Sequence, residues 1–65
     1  MRIFLNGTAH DVDADTLADA LDVLGYGGAI VATALNGRFV PVAARADTPL
    51  AHGDKIEVVA PMQGG

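Results

Sequence analysis

Apolar and polar residues alternate at the start of the chain. Met1, Ile3 and Leu5 interleave with Arg2, Phe4 and Asn6, the period-two pattern of a half-buried strand over Arg2 to Asn6. The set containing Arg2 is expected to face water, which places Phe4 on the outward side. Asn6-Gly7 is a dipeptide favoured in hairpin turns that need φ > 0, so a second strand is expected from Thr8 to Val12. The period then changes. Leu17, Ala20, Leu21 and Leu24 recur at helical spacing, and Thr16 stands where its side chain can cap the first backbone N–H groups. Asp19 holds the capping-box position with a shorter reach than Glu. Gly25 supplies the stop, because it tolerates the left-handed conformation that ends many helices.

After the flexible Tyr26-Gly27-Gly28 connection, Ile30 to Leu35 is apolar almost throughout and reads as a central strand. Asn36-Gly37 is a second hairpin signal, returning through Arg38-Phe39-Val40, with Phe39 assigned to the core. Pro41 ends that strand. Val42 to Pro49 reads as irregular, with room for one helical turn. Gly53-Asp54 makes another turn, and Lys55 to Ala60 is the last strand, with Ile56 and Val58 inward and Lys55 and Glu57 outward. Pro61-Met62-Gln63-Gly64-Gly65 carries no such pattern and is expected to project as a mobile tail.

Two strands, a helix and three strands close most simply as an α+β fold. One main helix covers a mixed sheet of about five strands, with the first and last strands adjacent. That is a β-grasp (ubiquitin-like) arrangement, with a domain over 1–60 and a diglycine tail over 61–65. Fold alone does not give function.

Composition narrows the classes. The 65 residues are enough for one small domain, and a core of that size supplies only about 3–5 kcal/mol of net stability. A deep substrate cavity is hard to build from so little material. Four basic residues stand against eight acidic ones, net −4, and Arg2, Arg38, Arg45 and Lys55 are scattered. Nucleic-acid binding, which needs clustered cations against phosphate, is therefore rejected. The absence of cysteine removes disulfides, thiolate metal sites and side-chain thiol chemistry, in keeping with a cytoplasmic protein. The opening apolar segment is too short for a signal peptide, and no run is long enough to span a membrane.

Candidate chemistry is sparse. His10 and His52 lack metal-ligand spacing and read as exposed or locally bonded. Asp11, Asp13 and Asp15 lack the other ligand positions of a calcium loop and read as a solvated cluster near the helix start. Gly25, Gly27 and Gly28 have no accompanying lysine and hydroxyl residue, so they are turn glycines rather than a phosphate loop. No nucleophile and base can be paired, which argues against a free-standing enzyme. What remains is the end of the sequence. With nothing after Gly65, the expected reactive group is an unhindered α-carboxylate, on a glycine backbone able to enter a narrow slot.

These residues carry a likeness. The chain resembles the ThiS family, the sulfur carriers of thiamine thiazole biosynthesis, along essentially its whole length. The likeness runs from the strand into Asn6-Gly7 and the Thr16-Leu17 helix start to the stretch Ala34-Leu35-Asn36-Gly37-Arg38-Phe39-Val40-Pro41. It continues through Thr48-Pro49-Leu50, Gly53-Asp54-Lys55-Ile56-Glu57-Val58 and the tail Met62-Gln63-Gly64-Gly65. Val42 and Arg45 depart from the family's pattern, in which Arg often follows the proline and an aromatic residue or His often stands at position 45.

The resemblance implies that a ThiF-type adenylating enzyme uses ATP and Mg²⁺ to activate the Gly65 carboxylate. A sulfur-donor protein then supplies sulfur, and the resulting thiocarboxylate feeds a ThiG-type thiazole synthase. This chain itself would bind no cofactor. Gly64 would serve threading of the tail, and Phe4, Pro61, Met62 and Gln63 would contact partners. In the ordinary reading Pro61 and Met62 only close the last strand and Phe4 is a lone exposed aromatic. Against that, a flexible Met suits adaptable interfaces, and Phe4 beside other apolar groups makes a docking patch. Three alternatives stay open: a carrier of the molybdopterin synthase small-subunit type, a ubiquitin-like modifier, and an interaction module with an inert tail.

Overall fold

The two Asn-Gly pairs shape both hairpins. In a computed structural model, which describes residues 1–60, Asn6 and Gly7 sit at φ 48° and 85°, and Asn36 and Gly37 at 50° and 83°. Both residues of each turn are thus left-handed, the geometry whose twist matches that of paired strands. The first turn joins β1 (Arg2–Leu5) to β2 (Thr8–Asp11). The second joins β3 (Ala32–Leu35) to β4 (Arg38–Val40). β5 (Lys55–Val59) lies between the hairpins, giving the order β2-β1-β5-β3-β4. β5 runs parallel to β1 and antiparallel to β3, so the first and last strands are adjacent as expected.

The helix α1 (Leu17–Val23) covers one face of this sheet. Thr16 caps it, accepting from the Asp19 N–H at 3.2 Å. At the other end Gly25 takes φ 95°, while Gly25 N–H donates to Asp22 O and Tyr26 N–H to Leu21 O. This paired closure satisfies carbonyls that the helix leaves open. Tyr26 then packs against the core beside Leu21.

Ile3, Leu17 and Ile56 are fully buried, ringed by Val12, Ala14, Ala20, Leu21, Val40 and Val58. Burying one such large aliphatic side chain stabilises by about 1.5–3 kcal/mol, comparable to the whole net stability of a domain this small.

Three expectations need correction. β3 begins at Ala32, and Ile30 is 84% exposed, because the chain leaving Tyr26 has not yet reached the sheet. β3 is an interior strand as expected, flanked by β5 and β4. Phe39 is 70% exposed rather than core, since the two-residue turn pairs it with Ala34 on the face away from α1. Val42–Asp47 forms a six-residue 3₁₀-helix, longer than the one helical turn allowed for in an otherwise irregular segment. The Pro61–Gly65 tail lies outside the described residues.

Candidate functional site

The tail follows directly on the middle strand. Ile56 and Val58 point into the core, while Lys55, Glu57 and Val59 face the other way. On its β1 side, β5 accepts from Phe4 N–H at Asp54 O and from Asn6 N–H at Ile56 O, each at 2.9 Å. β1 then turns away, and the Asn6 side chain takes over. Its Oδ1 accepts from Val58 N–H at 2.9 Å and its Nδ2 donates to Val58 O at 3.2 Å. A side-chain amide has the donor and acceptor of a peptide group, so Asn6 extends the ladder one step beyond the strand that carries it. Asn36 acts alike at the start of β5. Its Oδ1 accepts from Lys55 N–H at 2.9 Å and its Nδ2 donates to Asp54 Oδ1 at 3.0 Å. The strand that leads to the tail is therefore pinned at both ends by the turns of the two hairpins.

The sheet face opposite α1 is open. Registers put Ala9, Phe4 and Lys55 in one row and Phe39, Ala34 and Glu57 in another, with Ala32 beside Val59. Phe4 is half-buried there and lines a recess of 510 Å³ with Asn6, Gly7, Lys55 and Glu57. Where β5 ends, Ile30, Val31, Ala32, Val59 and Ala60 line an apolar recess of 310 Å³. Val59 is 63% exposed. Scattered exposed apolar side chains are ordinary, but Phe4, Phe39, Ala32 and Val59 share one face, with Ala32 and Val59 at the end where β5 finishes.

Phe4 thus lies on the outward face, as expected. Pro61, Met62, Gln63, Gly64 and Gly65 fall outside the described residues. His52 is locally bonded, its Nδ1 accepting from Arg2 N–H at 3.1 Å, while His10 is half-buried opposite Ile3. Among the described residues no group of three or more His, Asp or Glu is placed to hold a metal ion. No described helix is long and apolar enough to cross a membrane.

Arg45, one of the family departures, has a structural part. Its Nε donates to Thr33 Oγ1 at 3.0 Å and its Nη2 to Val31 O at 2.6 Å, tying the 3₁₀-helix to β3. Val42, the other departure, is 71% exposed and free of such ties.

A family model described as the ThiS family matches residues 3–65. The chain belongs to the ThiS family. The sulfur carrier protein ThiS of Thermus thermophilus is 40% identical over 68 aligned positions, spanning 97% of this chain and 98% of that protein. A crystal structure of the thiamine biosynthesis protein ThiS from Geobacter metallireducens superposes with a TM-score of 0.82 at 30% identity, covering all of both chains. A solution structure of a thiamine biosynthesis protein from the same organism gives 0.77 at 28% identity, covering all of this chain and 88% of that one. As a ThiS chain the protein is a sulfur carrier and not a catalyst, and its fold is the ubiquitin-like β-grasp.

Sequence reasoning missed three residues at this site. Phe39 was recoverable: a two-residue turn pairs Leu35 with Arg38 and hence Ala34 with Phe39, so an inward Leu35 forces an outward Phe39. Asn6 and Asn36 were seen only as turn formers, because a pairing of Asn6 with Val58 across the sequence leaves no local signal.

Proposed function

We propose that the protein carries sulfur as a thiocarboxylate on Gly65 for thiazole formation in thiamine biosynthesis. The observation that supports this best is the middle strand, pinned on both sides, leading to a chain end beside an open apolar face. A carboxylate is a poor acyl group until its oxygen becomes a good leaving group. In the proposed sequence the Gly65 carboxylate attacks the α-phosphorus of ATP on a ThiF-type enzyme, which holds the nucleotide and Mg²⁺. Pyrophosphate leaves and an acyl-adenylate forms. The outer sulfur of a donor protein's persulfide displaces AMP to give an acyl disulfide. A second thiol attacks the donor's sulfur in that S–S bond, leaving the thiocarboxylate and a new disulfide on the donor side. A ThiG-type synthase then takes the sulfur. The protein handle removes the need for free sulfide.

Each residue has a place in this reading. Gly65 carries the sulfur and Gly64 lets the tail thread a narrow channel. Pro61, Met62 and Gln63 contact the activating enzyme, and Phe4 docks it on the open face, joined there by Phe39 and Val59. In this reading the work is done in the cytoplasm, in keeping with a chain that has no cysteine.

Intact mass after incubation with ATP, Mg²⁺, a ThiF-type enzyme and a sulfur source tests the proposal. The expected result is a gain of one oxygen-to-sulfur exchange, lost when Gly65 is deleted while the fold persists. No change with a competent enzyme would favour an inert interaction module. Linkage of Gly65 to a lysine amine would make the protein a modifier. Sulfur delivered to a pterin rather than a thiazole would place it in the molybdopterin branch.

A further inference from the structure

We infer that Asn6 is a positioning residue for the tail. The inference rests on the carrier reading. On the β3 side, β5 is paired as far as Val59, opposite Ala32. On the β1 side the last backbone tie is Asn6 N–H to Ile56 O, two residues before Val58. Among the described residues only the Asn6 amide brings that side forward to Val58, through two hydrogen bonds at 2.9 and 3.2 Å. Val58 stands two residues before Ala60, where the described chain ends.

A strand held on both edges keeps its direction. Held on one edge, it can swing about that edge. Five residues follow Ala60, a reach of about 17 Å at full extension. The direction in which β5 leaves Val58 biases which part of the space within that reach is open to Gly65. The carboxylate must meet the α-phosphorus of ATP in a narrow range of distance and angle, so a change in that bias is felt in the chemical step. Docking of the globular body rests on Phe4, Phe39 and Val59, which stay in place; Asn6 only borders the recess that Phe4 lines, so a small change in KM is compatible with the inference.

The molecule contains its own control. Asn36 makes the same kind of amide tie to Lys55, at the end of β5 away from the tail. Both asparagines precede a glycine in the same left-handed turn. Asn→Gly keeps either turn competent and removes only the amide. Both Asn6→Gly and Asn36→Gly loosen β5, but only the first frees its tail-proximal end.

The test is steady-state pyrophosphate release by a ThiF-type enzyme with ATP and Mg²⁺, using the full chain of each variant where circular dichroism shows it folded. For Asn6→Gly we expect kcat to fall about two- to fivefold, with KM for the carrier within about twofold of the parent. Asn36→Gly should keep kcat. Faster amide exchange at Val58 in Asn6→Gly, with Lys55 unaffected, should accompany the loss. Equal kcat in both variants, equal losses in both, or a change confined to KM would each overturn the inference. If Asn6→Gly does not fold, Asn6→Asp serves instead, since it keeps the acceptor for Val58 N–H and loses the donor to Val58 O. It is read by the same kcat and KM criteria. Failure of the parent chain to support pyrophosphate release would sink the carrier reading itself, whatever the asparagine variants do.

Discussion

Removing the Arg45–Thr33 contact gives the sharpest energetic prediction. Thr33 is 2% exposed, and its hydroxyl both donates to Val40 O at 3.0 Å and accepts from Arg45 Nε at 3.0 Å. Thr33→Val keeps the shape and removes both bonds, leaving the Val40 carbonyl with its ladder partner alone and the Arg45 Nε–H without its acceptor. A lost intramolecular hydrogen bond costs about 0.5–1.5 kcal/mol, so we expect a loss of about 2 for the two together. Arg45→Met keeps an unbranched apolar stem and removes the bonds to Thr33 and Val31. Hydrogen bonds to a charged group contribute about 1.5–3 kcal/mol when sheltered, but Arg45 is half-exposed and water can replace it at Val31 O. We expect a loss of about 1–2 kcal/mol. The shared bond should appear as a coupling of about 1 kcal/mol in the double-mutant cycle. Because the domain's net stability is only about 3–5 kcal/mol, urea titrations of all four proteins belong in one constant sucrose background. An unchanged m-value would confirm that the same transition is being read. Coupling below about 0.3 kcal/mol would refute the reasoning and reduce the contact to coincidence of place.

Other outcomes follow from the same structure. Ile56 is fully buried in the middle strand, so Ile56→Ala should cost about 2–5 kcal/mol and leave much of the chain unfolded at 25 °C by circular dichroism. Thr16→Ala removes the cap on Asp19 N–H and should lower urea stability by about 1 kcal/mol; no change would mean that water serves as well. Phe39→Ser, on a side chain 70% exposed, should leave stability within about 0.5 kcal/mol while raising the carrier KM of the adenylating enzyme severalfold. An unaltered KM there would remove Phe39 from the docking face.

The parts legible in the sequence were those set by short-range backbone physics. Both Asn-Gly turns, the Thr16 cap, the Gly25 stop and the inward pair Ile56 and Val58 follow from local preferences, and each is found where expected. The parts that were not legible depend on partners far along the chain. Ile30 is apolar yet exposed, because periodicity cannot say where a strand meets its neighbour. The 3₁₀-helix at Val42–Asp47 has no buried residue and is held instead by Arg45 reaching to β3 and by Leu17 N–H donating to Thr48 O. The same divide runs through the candidate site. Phe4 was readable from alternation, whereas the Asn6 tie to Val58 spans 52 residues. The diglycine at 64–65 was conspicuous in the sequence but lies outside the described residues.

The layout bears on why so small a chain would carry its chemistry at its end. A one-helix, one-sheet domain has a single core, and here α1 and one sheet face use it up. A polar site set into that core would draw on a stability margin of about 3–5 kcal/mol, and one buried unpaired group could consume much of it. The other sheet face bears no such burden: Phe39 and Val59 on it are already largely in water, so a partner can cover them without disturbing what holds the fold. In the proposed reading the reactive group belongs to Gly65 and not to any side chain of that core. Activation and recognition are thereby separated from folding, and β5 is the element that joins them. Ile56 and Val58 anchor it in the core, Glu57 and Val59 present it to the open face, and Asn6 fixes the direction in which it leaves. A residue with little part in burial can then matter to transfer, which is why the rate of the chemical step, rather than stability, is the quantity that should single out Asn6.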